Sequence, residues 1–370
     1  MIIMSLYLDN IYGFKDFSIN FTYPKKKVGS TIEGEFLSDR PRFRYKKVNI
    51  IMGSNATGKT TLGKAIMGIF NFIAKKDVKH ITNEICDKTI DAKFVIEFVA
   101  STKTLYRVET VIIADKELRY RESNIKTKLN KVPIKTNDTY EKCKELLDTI
   151  ATNNESYVKS FDEIEPFGWY FTFPDDGAVV MNLDEDNSDL FAKTLNIVMK
   201  LLDPAIEEIT KSTELENAFI IKHKSFESVI QNGKIMGSEN FFSSGTINGI
   251  GIALLLTAIM THRHGFYYCD EKYSFIQSII EKELLATMIS KLGKDEQFFF
   301  TTHNSDILDM NLPHHSFLFL KKSENKISAL FADKYLKRNT DNLRNAVEND
   351  IFSIAPNSEA LQEFDNIEVY

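Results

Sequence analysis

A loop of eight residues, lying between an apolar run and a helical pattern, carries the clearest chemical signal in the sequence. Residues 53–60 read GSNATGKT and fit the G-x-x-x-x-G-K-[ST] pattern of phosphate-binding loops. Gly53 and Gly58 allow a tight turn whose N–H groups point inward, and the positive end of the following helix adds to the field at a phosphate. We expect Lys59 to reach the β- and γ-phosphates and the Thr60 hydroxyl to ligate Mg²⁺. The loop therefore predicts a nucleoside triphosphate site.

A second acidic site follows the apolar run at residues 266–269. Asp270 would stand at the carboxyl end of a buried strand, which in such sheets is the crevice that holds the ligand. Glu271, one residue further, could face an attacking water as a general base. Strands often end in acids, so this pair means little alone. Together with the phosphate loop it indicates a hydrolase.

Two further segments fit the same chemistry. Residues 241–246, FFSSGT, precede a helical pattern, where hydroxyls and free N–H groups can bind phosphate. Taken alone, this segment is more simply a helix N-cap. Residues 298–304, FFFTTHN, end a buried strand with His303, which could contact a γ-phosphate but in isolation would be structural or merely exposed.

The elements that must position these residues follow from the hydrophobic periodicity. Strands are predicted as two runs around a turn within 5–23, and at 48–52, 93–100, 106–114, 218–223, 266–269, 297–302 and 316–320. Helices are predicted at 60–74, 137–165, 188–217, 247–260 and 274–292, with a polar, basic loop over 24–47. Strands that alternate with helices predict an α/β sheet.

Composition narrows the class of protein. The 370 residues suggest two or three domains, and 43% hydrophobic with 26% charged residues is ordinary for a globular chain. Three cysteines without CxxC spacing exclude a disulfide scaffold and a cysteine zinc cluster and fit a reducing cytoplasm. No run approaches about 18 apolar residues, and the opening MIIMSLYLDN lacks the early basic residues of a signal peptide. We therefore expect a cytoplasmic protein with no membrane partner.

Charge is uneven along the chain although the net charge is only −6. Segments 25–47 and 119–144 each hold eight Lys or Arg against three acids, and 175–190 holds six acids and no Lys or Arg. Solvated loops and faces explain such segments most simply. A nucleic acid or a charged protein is the alternative, and composition does not choose between them.

The order of the four chemical segments resembles the ABC-type ATPase heads of the RecF/SMC class. Within that class the sequence looks most like the stand-alone AAA ATPases related to the OLD family and to bacterial anti-phage defence ATPases. The resemblance rests on SLYLDNIYGFKDFSINF, GSNATGKT, FSSGTINGIGIALL, FYYCDE and FFFTTHNSDILDM, and it covers about residues 5–115 and 218–330.

This resemblance implies a P-loop NTPase fold of the ABC-ATPase head type, with an antiparallel β subdomain and a mostly helical insertion. The implied divisions are 1–120 with the P-loop and the antiparallel β subdomain, 121–217 as the insertion, and 218–370 with the signature, the acidic strand end and the histidine. It further implies ATP and Mg²⁺ held between two heads of a homodimer or higher homo-oligomer. Asp270 would hold the metal with Thr60, while Lys59, Glu271 and His303 would be catalytic. The nucleotide-binding residues would be Gly53, Ser54, Asn55, Ala56, Thr57, Gly58, Lys59, Thr60 and Thr61 from one head, with Ser243, Ser244 and Gly245 from the other.

The sequence also departs from the class. Ala56 replaces a usual glycine, no glutamine lies between the P-loop and residue 230, and KYSFIQ follows Glu271 in place of a segment with Leu-His-Pro. About 50 residues follow Leu320, too few for the Toprim nuclease domain of OLD proteins. The leading hypothesis is an ATPase that acts as a nucleotide-driven switch or scaffold in anti-phage defence, with a separate nuclease or toxin as effector. A RecF-like DNA repair or DNA-binding ATPase is the alternative, ahead of a transporter ATPase and a catalytically dead binding module.

Overall fold

The computed structural model describes residues 1–24, 30–115, 119–150, 156–174, 185–237, 239–324, 326–338 and 341–355. Its strands are β1 (Ile2–Asp9), β2 (Phe17–Asn20), β3 (Phe36–Leu37), β4 (Arg40–Arg44), β5 (Val48–Met52), β6 (Ala92–Val99), β7 (Thr104–Ile112), β8 (Ile125–Pro133), β9 (Trp169–Thr172), β10 (Ile206–Lys211), β11 (Ala218–His223), β12 (Glu227–Gln231), β13 (Lys234–Met236), β14 (Phe266–Asp270), β15 (Gln297–Thr301), β16 (Phe317–Ser323) and β17 (Lys326–Phe331). Its α-helices are α1 (Lys59–Lys75), α2 (Lys79–Thr82), α3 (Tyr140–Thr149), α4 (Tyr157–Asp162), α5 (Glu185–Leu202), α6 (Ser244–Met260), α7 (Ser278–Lys291) and α8 (Leu343–Glu348).

A six-stranded sheet in the order β17-β16-β5-β15-β14-β9 forms the centre of the molecule. All neighbouring strands in it are parallel except β17, which runs antiparallel to β16. Every residue of β5, β14 and β15 is buried, as expected for apolar runs covered on both faces. Thr301 pairs with Ile51 on one side and with Asp270 on the other. The carboxyl ends of these three strands are therefore level with one another.

One face of the central sheet is covered by α1 and by a five-stranded antiparallel sheet in the order β2-β1-β6-β7-β8. Side chains alternate along the strands, so Tyr268 and Phe299 join this core together with Ile66 and Phe70 of α1. The antiparallel sheet includes β8 and so extends past residue 120, the expected boundary of the first domain. The antiparallel β subdomain predicted from the sequence is confirmed.

The other face of the central sheet is covered by α5, α6 and α7 and by the four-stranded antiparallel sheet β10-β11-β12-β13. Tyr267 and Phe298 point into this second core. Gly249 of α6 allows close packing, because a Cβ there would lie 2.7 Å from Leu202 Cδ1 of α5. Helices α1 and α6 therefore pack on opposite faces of one sheet.

Several sequence expectations differ from the structure, and strands β9, β12, β13 and β17 were also not predicted. The loop prediction over 24–47 is wrong at β3 and β4, which form a short antiparallel pair. The helix prediction over 188–217 is wrong at β10, and the strand β8 was not anticipated. In β10 the buried Ile206 and Ile209 are three residues apart, and a register irregularity between Ile206 and Glu208 accommodates that spacing. An irregular strand of this kind imitates helical periodicity.

The charged segments are partly accounted for by their place in the fold. Lys126, Lys128 and Lys131 are exposed on β8, an edge strand, where lysines discourage pairing with other chains. Residues 25–29 of one basic segment and 175–184 of the acidic segment lie outside the described residues. Among the helices of the described ranges, none combines the length and apolarity needed to cross a membrane.

Candidate functional site

The loop between β5 and α1 has the backbone shape that its glycines permit. Gly53 has a φ of 157°, and a Cβ there would lie 2.5 Å from the carbonyl oxygen of Leu320. Gly58, the N-cap of α1, has a φ of 97°. Thr57 donates from its hydroxyl to the Ser54 carbonyl at 2.8 Å and ties the loop across its base. Larger residues at either glycine would force the loop open.

Lys59 begins α1 and turns its ammonium back into the loop. Its Nζ donates to the carbonyls of Gly53 and Ser54 at 3.0 and 3.3 Å and lies 3.4 Å from Glu271 Oε1. The residue is only 4% exposed, and this burial lowers the pKa of its ammonium, while the nearby Glu271 carboxylate acts in the opposite direction. The loop thus presents a fixed positive charge at its centre.

Asp270 sits between two hydroxyls that come from distant parts of the chain. Thr60 of α1 donates to Asp270 Oδ2 and Thr301 of β15 donates to Oδ1, both at 2.6 Å. Burial raises the pKa of Asp270, and these two hydrogen bonds oppose that rise. A carboxylate beside a threonine hydroxyl is a set of hard oxygen donors that fits Mg²⁺.

Glu271 and His303 meet at the mouth of the same crevice. His303 Nε2 lies 2.9 Å from Glu271 Oε1. The backbone N–H of Glu271 donates to Thr301 Oγ1 at 3.0 Å, and its φ of 42° is in the left-handed region. Both side chains line a cavity of about 380 Å³ with Ser274 and Asn304. This arrangement can hold a water against a carboxylate that accepts its proton.

The serine-glycine segment lies at the start of α6. Ser243 is the N-cap, and its side chain accepts a hydrogen bond from the Thr246 N–H at 3.1 Å. Ser244 is exposed, whereas Gly245 packs so closely that a Cβ would lie 2.7 Å from the Phe275 carbonyl. Because α1 and α6 lie on opposite faces of the sheet, the fold does not group this segment with Lys59 and Asp270.

The remaining predicted residues lie along the phosphate loop. Asn55 and Ala56 are exposed at its tip, and Thr61 is half-buried in the first turn of α1. Ala56 has a φ of 61°, a conformation that favours glycine. The alanine noted as a departure in the sequence therefore occupies a position whose backbone conformation suits glycine.

Sequence reasoning missed three residues that shape the site. Thr301 was seen as part of a strand, but the partners of its hydroxyl are Asp270 and the Glu271 N–H. Tyr268 donates from its hydroxyl to the carbonyl of Lys59 at 2.7 Å. Gly63 allows this contact, because a Cβ there would lie 2.5 Å from Tyr268 Cε1. A glycine within an amphipathic helix was the one signal available for it.

Comparison with known proteins places the fold but not the family. No protein-family model matches the sequence, and no curated protein matches it. Among solved structures, an SMC head bound to the C-terminal winged-helix domain of ScpA matches with 15% identity and a TM-score of 0.53, covering 91% of this chain and all of that one. An Smc head with an extended coiled coil, bound to the C-terminal domain of ScpA from Pyrococcus furiosus, matches with 13% identity and a TM-score of 0.52, covering 91% and 98%.

These neighbours define the class to which the fold belongs. The chain has the fold of an ABC-type ATPase head, as the order of its motifs predicted. Both SMC head matches span nearly the whole of either chain. The recombination mediator protein RecF also matches, with 11% identity and a TM-score of 0.43, covering 89% of this chain and 98% of that one.

Proposed function

We propose that this protein binds ATP with Mg²⁺ and hydrolyses it at the crevice above β5, β14 and β15. The observation that carries this proposal is the convergence of Lys59, Thr60, Asp270, Glu271 and His303, which the sheet brings together from three distant segments. Phosphate loops, paired acids and a histidine each occur in other settings. Their assembly at one edge of a parallel sheet is what phosphoryl transfer requires.

In the proposed reaction, the nucleotide-binding residues 53–61 hold the triphosphate and Lys59 neutralises part of its charge. Thr60 and Asp270 would hold Mg²⁺, which supplies charge neutralisation at the phosphate oxygens. Water attacks the γ-phosphorus as the bond to the bridging oxygen breaks, and its proton passes to the Glu271 carboxylate. His303, 2.9 Å from that carboxylate, orients it. No glutamine precedes residue 230 after the loop, so further metal ligands would be water or phosphate oxygens.

The proposal extends to a pair of chains. Helix α6 begins on the face of the sheet opposite α1, so the phosphate that Ser243, Ser244 and Gly245 would contact belongs to a second copy. A two-fold head-to-head pair closes two such sites at once. Four apolar side chains near this segment are exposed in the single chain, and a second copy could bury them at the interface: Phe241, Ile247, Phe275 and Ile279.

In the cell, we propose a nucleotide-driven switch or scaffold in anti-phage defence, with a nuclease or toxin as a separate effector chain. The support is the likeness of the FSSGTINGIGIALL and FFFTTHNSDILDM segments to OLD-like ATPases. The two SMC heads described above are in complex with a domain of ScpA, so a head of this fold can carry a second protein. The RecF-like alternative, a DNA-binding ATPase, is favoured by the exposed Lys126 and Lys128 on β8. Hydrolysis stimulated by duplex DNA would favour that alternative.

The catalytic proposal is tested by Glu271→Gln. The variant keeps the side-chain shape but cannot take a proton from water, so we expect hydrolysis to slow about 100-fold or more while ATP binding persists. Turnover is measured as phosphate release and affinity by titration with a fluorescent ATP analogue. The matched control is Glu283→Gln, an exposed carboxamide substitution on α7. Wild-type turnover in Glu271→Gln would mean that Glu271 is only an acid at the end of a strand.

A further inference from the structure

A buried carboxylate beside the crevice takes no part in the chemistry described above. Glu281 lies in the first turn of α7 and is 3% exposed. Its Oε1 accepts from the Thr302 hydroxyl at 2.7 Å, and its Oε2 accepts from Asn304 Nδ2 at 2.7 Å. These two residues precede and follow His303. One side chain therefore holds the loop on both sides of the histidine.

The loop is held by further contacts that start from the same helix. The Asn304 N–H donates to Thr302 Oγ1 at 3.0 Å, and Asn304 Nδ2 lies 2.9 Å from Ser278 Oγ, at the first residue of α7. The Asp306 N–H donates to Asn304 Oδ1 at 2.9 Å. The Asp306 carboxylate accepts at Oδ1 from Arg344 Nη2 of α8 at 2.8 Å. The backbone around His303 is thus tied mainly to the start of α7.

Burial of the ionised Glu281 carboxylate costs free energy of folding, because the charge loses its hydration. Desolvation raises the pKa of Glu281, and the hydrogen bonds from Asn304 and Thr302 oppose that rise. A buried charge is weak evidence for stability, because an apolar side chain of similar volume is often at least as stabilising. The simpler explanation for a buried carboxylate here is that Glu281 fixes the positions of Thr302 and Asn304. Glu281, Ser278, Thr302 and Asn304 also line the cavity shared with Glu271 and His303.

We propose that Glu281 is a positioning residue for ATP hydrolysis, which sets the place of His303 against the Glu271 carboxylate. The inference rests on the proposed function. His303 is 40% exposed, so packing alone does not hold its ring, and the 2.9 Å contact with Glu271 depends on the loop backbone. Residues 272–277 connect Glu271 to α7, and the backbone carbonyl of Phe275 in that segment lies against Gly245 at the start of α6. A shift of this segment would move Ser278 and Glu281, and with them the histidine.

A double-mutant cycle tests this role. Glu281→Ala is expected to lower kcat about 10- to 100-fold, since a displacement near 1 Å has that effect on a catalytic group, and to leave ATP affinity within about twofold. In the His303→Ala background the same change should cause no further loss of kcat. Glu281→Gln, which keeps one oxygen acceptor, should recover part of the rate. Glu283→Ala, an exposed change on the same helix, is the control.

The outcomes separate this inference from the function on which it rests. Equal losses of kcat from Glu281→Ala in the wild-type and His303→Ala backgrounds would overturn the positioning role, and so would an unchanged kcat. If Glu281→Ala does not fold, judged by its thermal melt, the cycle is run with Glu281→Gln and the same criterion applies. A wild-type protein that neither binds nor hydrolyses ATP would overturn the proposed function first, before any variant is compared.

Discussion

Gly63→Ala should damage the site from inside α1, although alanine is the better helix former. The new Cβ would lie 2.5 Å from Tyr268 Cε1 and 2.7 Å from Cζ, whereas carbon atoms normally meet at about 3.5–4.0 Å. The helix or the ring must therefore move by about 1 Å. Thr60 lies one turn earlier on α1, and its 2.6 Å hydrogen bond to Asp270 would be stretched by that shift.

The magnitude follows from two opposed terms. Overpacking costs about 1–3 kcal/mol, and replacing a helical glycine by alanine returns about 1 kcal/mol, so we expect a net loss of about 0–2 kcal/mol. The effect on hydrolysis should be larger, about 10-fold or more, because the metal-binding pair Thr60 and Asp270 is displaced.

Thermal melting and phosphate release, measured on the same preparations, provide the assay. Gly68→Ala is the matched control, since its Cβ would lie 2.7 Å from the His80 carbonyl, away from the crevice. It should lower the melting temperature and leave turnover nearly unchanged. A Gly63→Ala protein with higher stability and full turnover would refute the close contact between α1 and Tyr268.

Two further predictions concern charge and assembly. Because burial raises the pKa of Asp270 above 3.8, the stability that this group contributes is fully present below pH 3.8 and is lost as the pH rises through the folded-state pKa. Asp270→Asn should therefore melt a few degrees higher than the wild type at pH 7 without metal or nucleotide, and this gain in melting temperature should shrink as the pH is lowered toward the folded-state pKa. A lower melting temperature for Asp270→Asn at pH 7 would contradict this. Lys59→Ala and Ser244→Arg should each be inactive alone, yet their mixture should recover up to about a quarter of wild-type turnover, because half of randomly formed pairs keep one intact site of two. No recovery despite demonstrated subunit exchange would count against a site shared between chains.

The parts of the fold that could be predicted from the sequence are those in which one strong local signal decides. The buried strands β5, β14 and β15 are short, mainly apolar runs, and the spacing of two glycines, a lysine and a threonine marks the loop after β5. Strand β10 was mistaken for helix because its buried residues are three apart. Strand β8 was not predicted. Its exposed lysines alternate with mostly buried residues, but the segment was interpreted only as a region of positive charge.

The supporting residues of the site could not be predicted because their roles depend on contacts far along the chain. From the sequence, Gly63 only lowers the helix propensity of α1, and its packing role is apparent only once Tyr268 is known to lie against it. Glu281 reads as an ordinary helical acid, and only the approach of Thr302 and Asn304 makes it a buried acceptor. Contacts of this kind join residues that are far apart in the sequence, so they leave no periodic pattern from which they could be predicted.

The sheet order has a consequence for biosynthesis. The phosphate loop leaves the ribosome early, yet Thr60 meets Asp270 across 210 residues of sequence, and β5 lies between β15 and β16, which come later still. At roughly 5–20 residues per second, translation of the intervening chain takes about 10–40 s. During that interval β6, β7 and β8 can join β1 and β2 as they emerge, whereas β5 has no strand partner on either edge. The nascent chain should therefore need a chaperone most during synthesis of residues 53–301, and truncated chains ending before β15 should aggregate.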